Sequence, residues 1–166
     1  MEYTFSLQAQ GSHMRIKAID HFTIRTSNLD ITIQFFEQSL GLQRGPRPQF
    51  AFPGAWMYDD DGNPILHLVS LSEGHTPKAL VDYLGGKEGQ SGSGAIDHIS
   101  FKGHHLASTQ RHLAHLKIPF RERVIPQINE HQIFFDDPNG ITIEIIFPFS
   151  PDNKIVGSLL PVVELT

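Results

Sequence analysis

A short internal repeat constrains this chain more than any other feature. The tetrapeptide Ala-Ile-Asp-His occupies residues 18–21 and returns at residues 95–98, and 98 minus 21 gives an offset of 77 residues. The same offset carries His67 onto Glu144. The pattern predicts one folded unit present twice, with a possible metal ligand near the start and near the end of each copy.

Apolar spacing in the first copy predicts a strand, a helix and three further strands. Alternation over Ile19–Ile24 indicates the first strand. Apolar residues three or four apart over residues 29–40 indicate a helix, which Ser27 or Asn28 would cap and Gly41 would end. The further strands are predicted at residues 49–52, 55–58 and 65–71.

The second copy repeats this plan. Ile96–Phe101 is predicted to be a strand and Leu106–Leu116 a helix, which Pro119 prevents from continuing. Its further strands are predicted at residues 120–124, 131–135 and 141–147. We therefore expect an α+β fold built from two tandem βαβββ modules.

The two copies are expected to sit within a chain of five segments. Residues 1–13 precede Met14 and end in Gly-Ser-His, so we expect an expression-tag remnant there. Glycine and serine are frequent between the copies, which favours a flexible linker with a short helix near its start. The remaining segments are module 1 at residues 14–72, this linker at residues 73–94, module 2 at residues 95–148, and a C-terminal arm at residues 149–166.

Composition excludes several classes of function. The chain has no cysteine, so it has no disulfide and no thiolate metal site. A formal net charge of −5 argues against a nucleic-acid binder, which needs a basic face. No apolar run approaches the roughly 18 residues of a membrane span, and no signal peptide follows Met14. We expect a cytoplasmic protein whose partner is a small molecule.

The repeated polar positions predict one metal site. His21 and His98 begin the first strands of the two modules, and His67 and Glu144 lie on the last strands. If equivalent faces of the modules meet, all four side chains reach one cavity. Three imidazoles and a carboxylate suit one divalent iron, nickel, manganese, cobalt or zinc ion. Glu144 interrupts an apolar strand, and an unpaired buried carboxylate is costly, so it faces either a cation or solvent.

Other polar and aromatic residues have less specific interpretations. Strand alternation predicts that Asp20 and Asp97 point away from the histidines as structural residues. His131 is either a surface residue or a proton shuttle that reaches the cavity. The arginines could hold an anionic group of the substrate, and the aromatic residues are either core or pocket. The predicted substrate pocket consists of Phe50, Phe52, Trp56, Tyr58, Arg121, Arg123 and Phe134.

The segments Phe35–Leu42 and Asp137–Glu144 resemble those of the vicinal oxygen chelate superfamily. This superfamily includes glyoxalase I, extradiol dioxygenases, methylmalonyl-CoA epimerase, and fosfomycin and bleomycin resistance proteins. The resemblance covers essentially Met14 to Phe147. It implies a curved mixed sheet around a metal cavity, with metal ligands at His21, His67, His98 and Glu144. It also implies a homodimer, since members of the superfamily often form one. The shared chemistry is chelation of two adjacent substrate oxygens, so that the metal stabilises an enediolate or a similar anion.

The resemblance leaves three functions open. A glyoxalase-like isomerase or lyase is favoured, because the chain has two modules and Phe134 stands where the extradiol signature has tyrosine. An iron-dependent extradiol dioxygenase, an oxidoreductase, is second, since His21, His98 and Glu144 match its two histidines and carboxylate. A non-enzymatic binding protein of the resistance type is third. In an enzyme, Glu144 or His131 would move the proton.

Overall fold

The computed structural model describes residues 18–71, 78, 94 and 96–161. The expected tag remnant and the last five residues of the C-terminal segment lie outside the described residues. Within the predicted linker only Lys78 and Gly94 are fully described, so the short helix predicted there stays a prediction. Among the described residues, no helix is long and apolar enough to cross a membrane.

The described part of the first module, residues 18–71, contains four strands and one helix, α1 (Leu29–Leu40). The side chain of Asn28 caps α1 by accepting a hydrogen bond from the Ile31 amide at 3.2 Å, and Gly41 ends it in the left-handed region with φ 72°. The sheet order is β1-β4-β3-β2, with β1 parallel to β4 and the other neighbours antiparallel. The strands are β1 (Phe22–Thr26), β2 (Gln43–Gly45), β3 (Gly54–Tyr58) and β4 (Leu66–Ser70).

One predicted strand of this module is wrong. Residues 49–52 form no strand, and β2 takes the edge position instead. Pro48 and Pro53 flank this segment and have no amide proton to give to a strand ladder. The segment instead bends over the sheet, where Phe52 is buried against Val69.

The second module repeats the plan with helix α2 (Leu106–His115). Its sheet order is β5-β8-β7-β6-β9, with β5 parallel to β8. Strand β9 comes from the C-terminal segment and pairs in parallel with β6. The strands are β5 (His98–Lys102), β6 (Arg121–Ile125), β7 (Glu130–Asp136), β8 (Thr142–Pro148) and β9 (Ser158–Leu159). The predicted α+β fold of two βαβββ modules with mixed sheets is thereby confirmed.

The modules pack through their helix-covered sides. Buried residues of both sheets and both helices belong to one continuous core. The ring of Phe35 on α1 lies 6.0 Å from that of Phe135 on β7, and the Asn139 side chain donates to the Thr32 hydroxyl at 3.3 Å. The opposite face of each sheet therefore lies on the outside of this core, and we call it the outer face.

Candidate metal centre

The outer face of the first module carries a stack of three rings. His67 on β4 is the register partner of Thr23 on β1, and His21 lies just before β1 begins. The His21 and His67 rings stack with their centroids 3.8 Å apart, and Trp56 on β3 stacks on His67 at 4.2 Å. The register of the first sheet thus brings two predicted ligands into contact.

His67 is a buried histidine with one ring nitrogen that has no hydrogen-bond partner among the described residues. Burial lowers the pKa of His67, the neighbouring His21 lowers it further, and the ring also has a hydrogen bond with the Pro64 backbone. Its Nε2 atom is buried and has no hydrogen-bond partner among the described residues. The Pro64 bond therefore involves Nδ1, which leaves the lone pair of Nε2 for a metal.

The aspartates of the repeat hold the histidines. Asp20 Oδ2 lies 2.6 Å from His21 Nδ1, and Asp97 Oδ2 lies 2.7 Å from His98 Nδ1. The expectation that these aspartates point away is wrong, because both precede the strands β1 and β5 and strand alternation does not apply to them. A carboxylate on Nδ1 fixes the tautomer in which Nε2 is free to ligate.

The outer face of the second module carries the other two predicted ligands. Glu144 on β8 is buried, and its Oε2 atom accepts a hydrogen bond from the Ser100 hydroxyl. The same oxygen lies 3.1 Å from His98 Nε2. The Phe134 ring meets the His98 ring edge-on, with centroids 6.0 Å apart. A buried carboxylate and an imidazole that share this contact form a second half of a metal site.

The two halves do not converge within one chain. Over residues 18–71 and 96–161, no three histidine, aspartate or glutamate side chains are grouped closely enough to hold a metal ion. The sequence interpretation assumed that the ligand-bearing faces of the modules meet. They do not, because the helix-covered faces form the shared core and leave both outer faces turned away from it.

The structure places His131 away from Glu144. His131 on β7 is the register partner of Phe147, whereas Glu144 pairs with Phe134. His131 lies three positions before Phe134 on the same strand, so alternation puts the two side chains on opposite faces of the sheet. His131 is fully buried, with Nε2 2.6 Å from Glu122 Oε2. Neither a surface residue nor a proton shuttle at Glu144 fits this position.

Three of the predicted pocket residues line one small cavity. Phe50, Phe52 and Trp56 surround it together with His67. Arg47, which the sequence interpretation missed, lines the same cavity, with its guanidinium 4.7 Å from the Phe50 ring centroid and 5.1 Å from that of Phe52. Its position between two prolines and just before an aromatic pair was the only available signal.

The other predicted pocket residues divide into two groups. Phe134 lies beside His98, and the Arg123 guanidinium sits over the Phe134 ring at 5.4 Å. Tyr58 and Arg121 have other partners: the Tyr58 hydroxyl donates to the Pro46 carbonyl at 2.7 Å, and Arg121 pairs with Asp136 at 3.4 Å.

Comparisons with known proteins find a matching family model and several proteins of similar sequence or fold. Residues 18–145 match the Glyoxalase/Bleomycin resistance protein/Dioxygenase superfamily. "Glyoxylase I 4" of Arabidopsis thaliana is 26% identical over 140 residues, which cover 81% of this chain and 73% of that protein. A putative glyoxalase family protein from Bacillus anthracis has a TM-score of 0.61 at 14% identity and covers 82% of this chain and 99% of its own. FosX from Listeria monocytogenes, a fosfomycin resistance protein complexed with Mn(II), has a TM-score of 0.58 at 13% identity and covers 81% and 95%.

Proposed function

Because the chain belongs to the Glyoxalase/Bleomycin resistance protein/Dioxygenase superfamily, we propose that it is a metal-dependent enzyme acting on a small molecule with two adjacent oxygens. A glyoxalase-like isomerase or lyase is the reaction class we prefer. The histidines carry this proposal, since His21 and His98 each have Nδ1 held by the preceding aspartate. That arrangement presents Nε2 as a ligand atom in both modules.

The donor set fits a first-row divalent ion. His67 offers a buried Nε2 atom without a hydrogen-bond partner among the described residues, and Glu144 offers a buried carboxylate. Imidazole and carboxylate together suit iron, nickel, manganese, cobalt or zinc. The related FosX structure contains Mn(II), which supports a metal of this kind. We assign His21, His67, His98 and Glu144 as its ligands.

The site requires a second copy of the chain if all four ligands hold one ion. Strands β1 and β5 lie at the ends of their sheets, and each follows or includes a predicted ligand, His21 or His98. Ile19 and Ile96, which precede these strands, are 76% and 64% exposed. We propose a twofold homodimer in which β1 of one copy lies beside β5 of the other and covers this apolar surface.

The residues of the chain supply the rest of the chemistry. When bound, the metal would lower the energy of an oxyanion on the substrate. Glu144 Oε2 would take a proton from the hydroxyl-bearing carbon beside a substrate carbonyl and return it to the former carbonyl carbon, while the hydroxyl proton would pass to the oxygen on that carbon. The Ser100 hydroxyl, which donates to Glu144, orients the carboxylate for this transfer. Phe52 and Trp56 would keep water from the reacting carbon.

A ring-cleaving dioxygenase is the second candidate. The His67 ring is stacked between the rings of His21 and Trp56. If His67 stays in that stack, the remaining ligands are His21, His98 and Glu144, the two-histidine, one-carboxylate set of non-haem iron oxygenases. A non-enzymatic binding protein is the third candidate and would need none of these ligands.

Metal content tests the proposal. We would purify the protein anaerobically without chelators and measure bound metals by mass spectrometry in the wild type, Glu144→Ala and the surface control Glu37→Ala. We expect stoichiometric metal in the wild type and the control, and its loss in Glu144→Ala. Iron would favour the dioxygenase, and nickel, zinc, cobalt or manganese would favour the isomerase or lyase. No metal in any of the three, even after reconstitution, would contradict the proposal.

A further inference from the structure

Two polar side chains are cross-strand neighbours on the outer face of the second module. Arg123 on β6 is the register partner of Gln132 on β7. Arg123 Nε and Gln132 Oε1 are both buried, and neither has a hydrogen-bond partner among the described residues. Gln132 itself is only 8% exposed, and its amide nitrogen is engaged by Glu130 at 2.8 Å. This donor and this acceptor are therefore available to the polar groups of a bound molecule.

This spot is continuous with the candidate metal centre. The Arg123 guanidinium lies over the Phe134 ring, and the edge of that ring meets His98. Phe134 is also the register partner of Glu144 on one side and of Arg121 on the other. A molecule that is held at His98 and Glu144 and lies across the Phe134 ring would therefore meet the Arg123 guanidinium over that ring. The ring also fixes the guanidinium, so that less side-chain freedom is lost when an anion binds.

We propose that Arg123 and Gln132 form a subsite for a negatively charged group, carboxylate or phosphonate, at the end of the substrate remote from its two adjacent oxygens. The inference rests on the proposed function and makes these two residues determinants of specificity. A guanidinium donates to the oxygens of such an anion, and Gln132 Oε1 accepts from a hydroxyl beside it.

Arg121 is a matched control on the same strand. It lies two residues from Arg123 and so on the same face, but its side chain is 45% exposed and pairs with the Asp136 carboxylate at 3.4 Å. Its charge is therefore already balanced by a neighbour. The two arginines carry equal charge on the same face. Arg121 is the register partner of Phe134, but the guanidinium that lies over the Phe134 ring is that of Arg123.

Two related chelators test the subsite. Catechol and 3,4-dihydroxybenzoate present the same adjacent oxygens, and only the second carries a carboxylate. We would measure the dissociation constants of both for the metal-loaded protein by calorimetry at pH 7. We expect the wild type to bind the carboxylated molecule about tenfold more tightly or better, the size of one charge-assisted hydrogen bond.

The variants separate the subsite from the metal. Arg123→Met keeps an apolar contact with Phe134 but removes the charge. We expect the ratio of the two dissociation constants to fall close to one in this variant, while catechol still binds. Gln132→Glu places a negative charge at the subsite and should lower the preference as well. Arg121→Gln should retain it, and circular dichroism would verify that each variant is folded.

Three results would overturn the subsite. Equal binding of both chelators by the wild type would do so and leave the proposed function standing. An equal loss of preference in Arg121→Gln and Arg123→Met would show a general electrostatic effect and not a subsite. Failure of catechol itself to bind the metal-loaded protein would overturn the proposed function, and the subsite with it.

Discussion

The second module contains two glutamate–histidine pairs on opposite faces of one sheet. Glu122 and His131 lie on the core side, with Oε2 and Nε2 2.6 Å apart, and both are fully buried. Glu144 and His98 lie on the outer face, 3.1 Å apart, and about a third of the His98 side chain is exposed. The residue types are identical, and the surroundings differ in how many donors each carboxylate receives.

Glu122 is saturated by donors. Its Oε1 atom accepts from the backbone amides of Val156 and Gly157 at 2.7 and 2.5 Å, and its Oε2 atom accepts from Gln110 and His131. This carboxylate ties the C-terminal segment to α2 and to the sheet, and it has no capacity left for a ligand. Its role is therefore structural.

Glu144 is not saturated by donors. Ser100 and His98 both contact its Oε2 atom, and the His98 contact would be given up if Nε2 turned to a metal. The comparison teaches that donor count, more than residue type or burial, separates a structural carboxylate from a candidate ligand.

The largest effect expected from this difference is on stability. Glu122→Ala removes the shared acceptor of His131, Gln110 and two backbone amides in a buried setting, so we expect a loss of about 3–5 kcal/mol in the free energy of unfolding. Glu144→Ala should cost about 1 kcal/mol or less, because its partners reach solvent. Urea unfolding of both variants measures this, and equal losses would remove the distinction between the two pairs.

The aspartates of the repeat should affect metal affinity without a comparable effect on stability. Asp97→Asn weakens the hold on His98 Nδ1, and we expect metal affinity to fall about 10- to 100-fold, as is typical for such partners of ligating histidines. Competition with a chromophoric chelator measures the affinity. Asp152→Asn, in an exposed turn, is the control and should leave it unchanged. An unchanged affinity in Asp97→Asn would argue against His98 as a ligand.

Glu122 should also make the free energy of unfolding depend on pH. Burial raises the pKa of Glu122, but hydrogen bonds from the Gly157 and Val156 amides, Gln110 and His131 lower it, and the net pKa is below its usual 4.5. A carboxyl group whose pKa is lowered by folding adds stability that is fully present above its pKa in the unfolded chain. This contribution is lost as the pH falls through its pKa in the folded protein.

Urea unfolding between pH 6 and pH 3 tests this direction. We expect the wild type to lose stability below about pH 4.5 more steeply than Glu122→Gln. The pKa of Asp59 is also lowered, mainly by hydrogen bonds from Asn63. Asp59 is present in both proteins, so its contribution to the pH dependence is the same in each. Parallel pH profiles would contradict the assignment to Glu122.

The smallest effect concerns communication between the two outer faces. Trp56 is the single tryptophan of the chain and stacks on His67. Addition of Mn(II) should change its fluorescence, because the metal would bind Nε2 of the His67 ring on which Trp56 stacks. Glu144→Ala should abolish the change, although Glu144 belongs to the other module. A change that persists in Glu144→Ala would mean that His21 and His67 bind metal without the second half.

Local signals predicted much of the fold. The N-cap Asn28, the terminal Gly41 and the helical spacing between them set α1 correctly, and the repeat predicted that the second module would follow the first. Short-range chemistry of this kind is present in the residues themselves. It failed at residues 49–52, where apolar content suggested a strand and the flanking prolines prevented one.

The candidate site was only partly predictable because it depends on register and on packing between modules. The face on which His131 lies follows from its pairing with Phe147, which alternation near Glu144 does not reveal without knowing the loop between β7 and β8. The contact of Asp20 with His21 depends on where β1 begins. Whether modules meet through helices or through ligand faces depends on contacts such as that of Phe35 with Phe135, for which the sequence has no local signal.

A mixed dimer tests the central claim, a metal shared by two copies, most directly. We would co-express a His21→Ala chain and a Glu144→Ala chain with different affinity tags, isolate the heterodimer by two successive purifications, and measure its metal content. If each site takes His21 and His67 from one copy and His98 and Glu144 from the other, one site of the heterodimer is intact and the other carries both defects. We predict about one metal ion per heterodimer and none in either parent homodimer. A heterodimer as empty as the parents would place all four ligands in one chain and contradict the account.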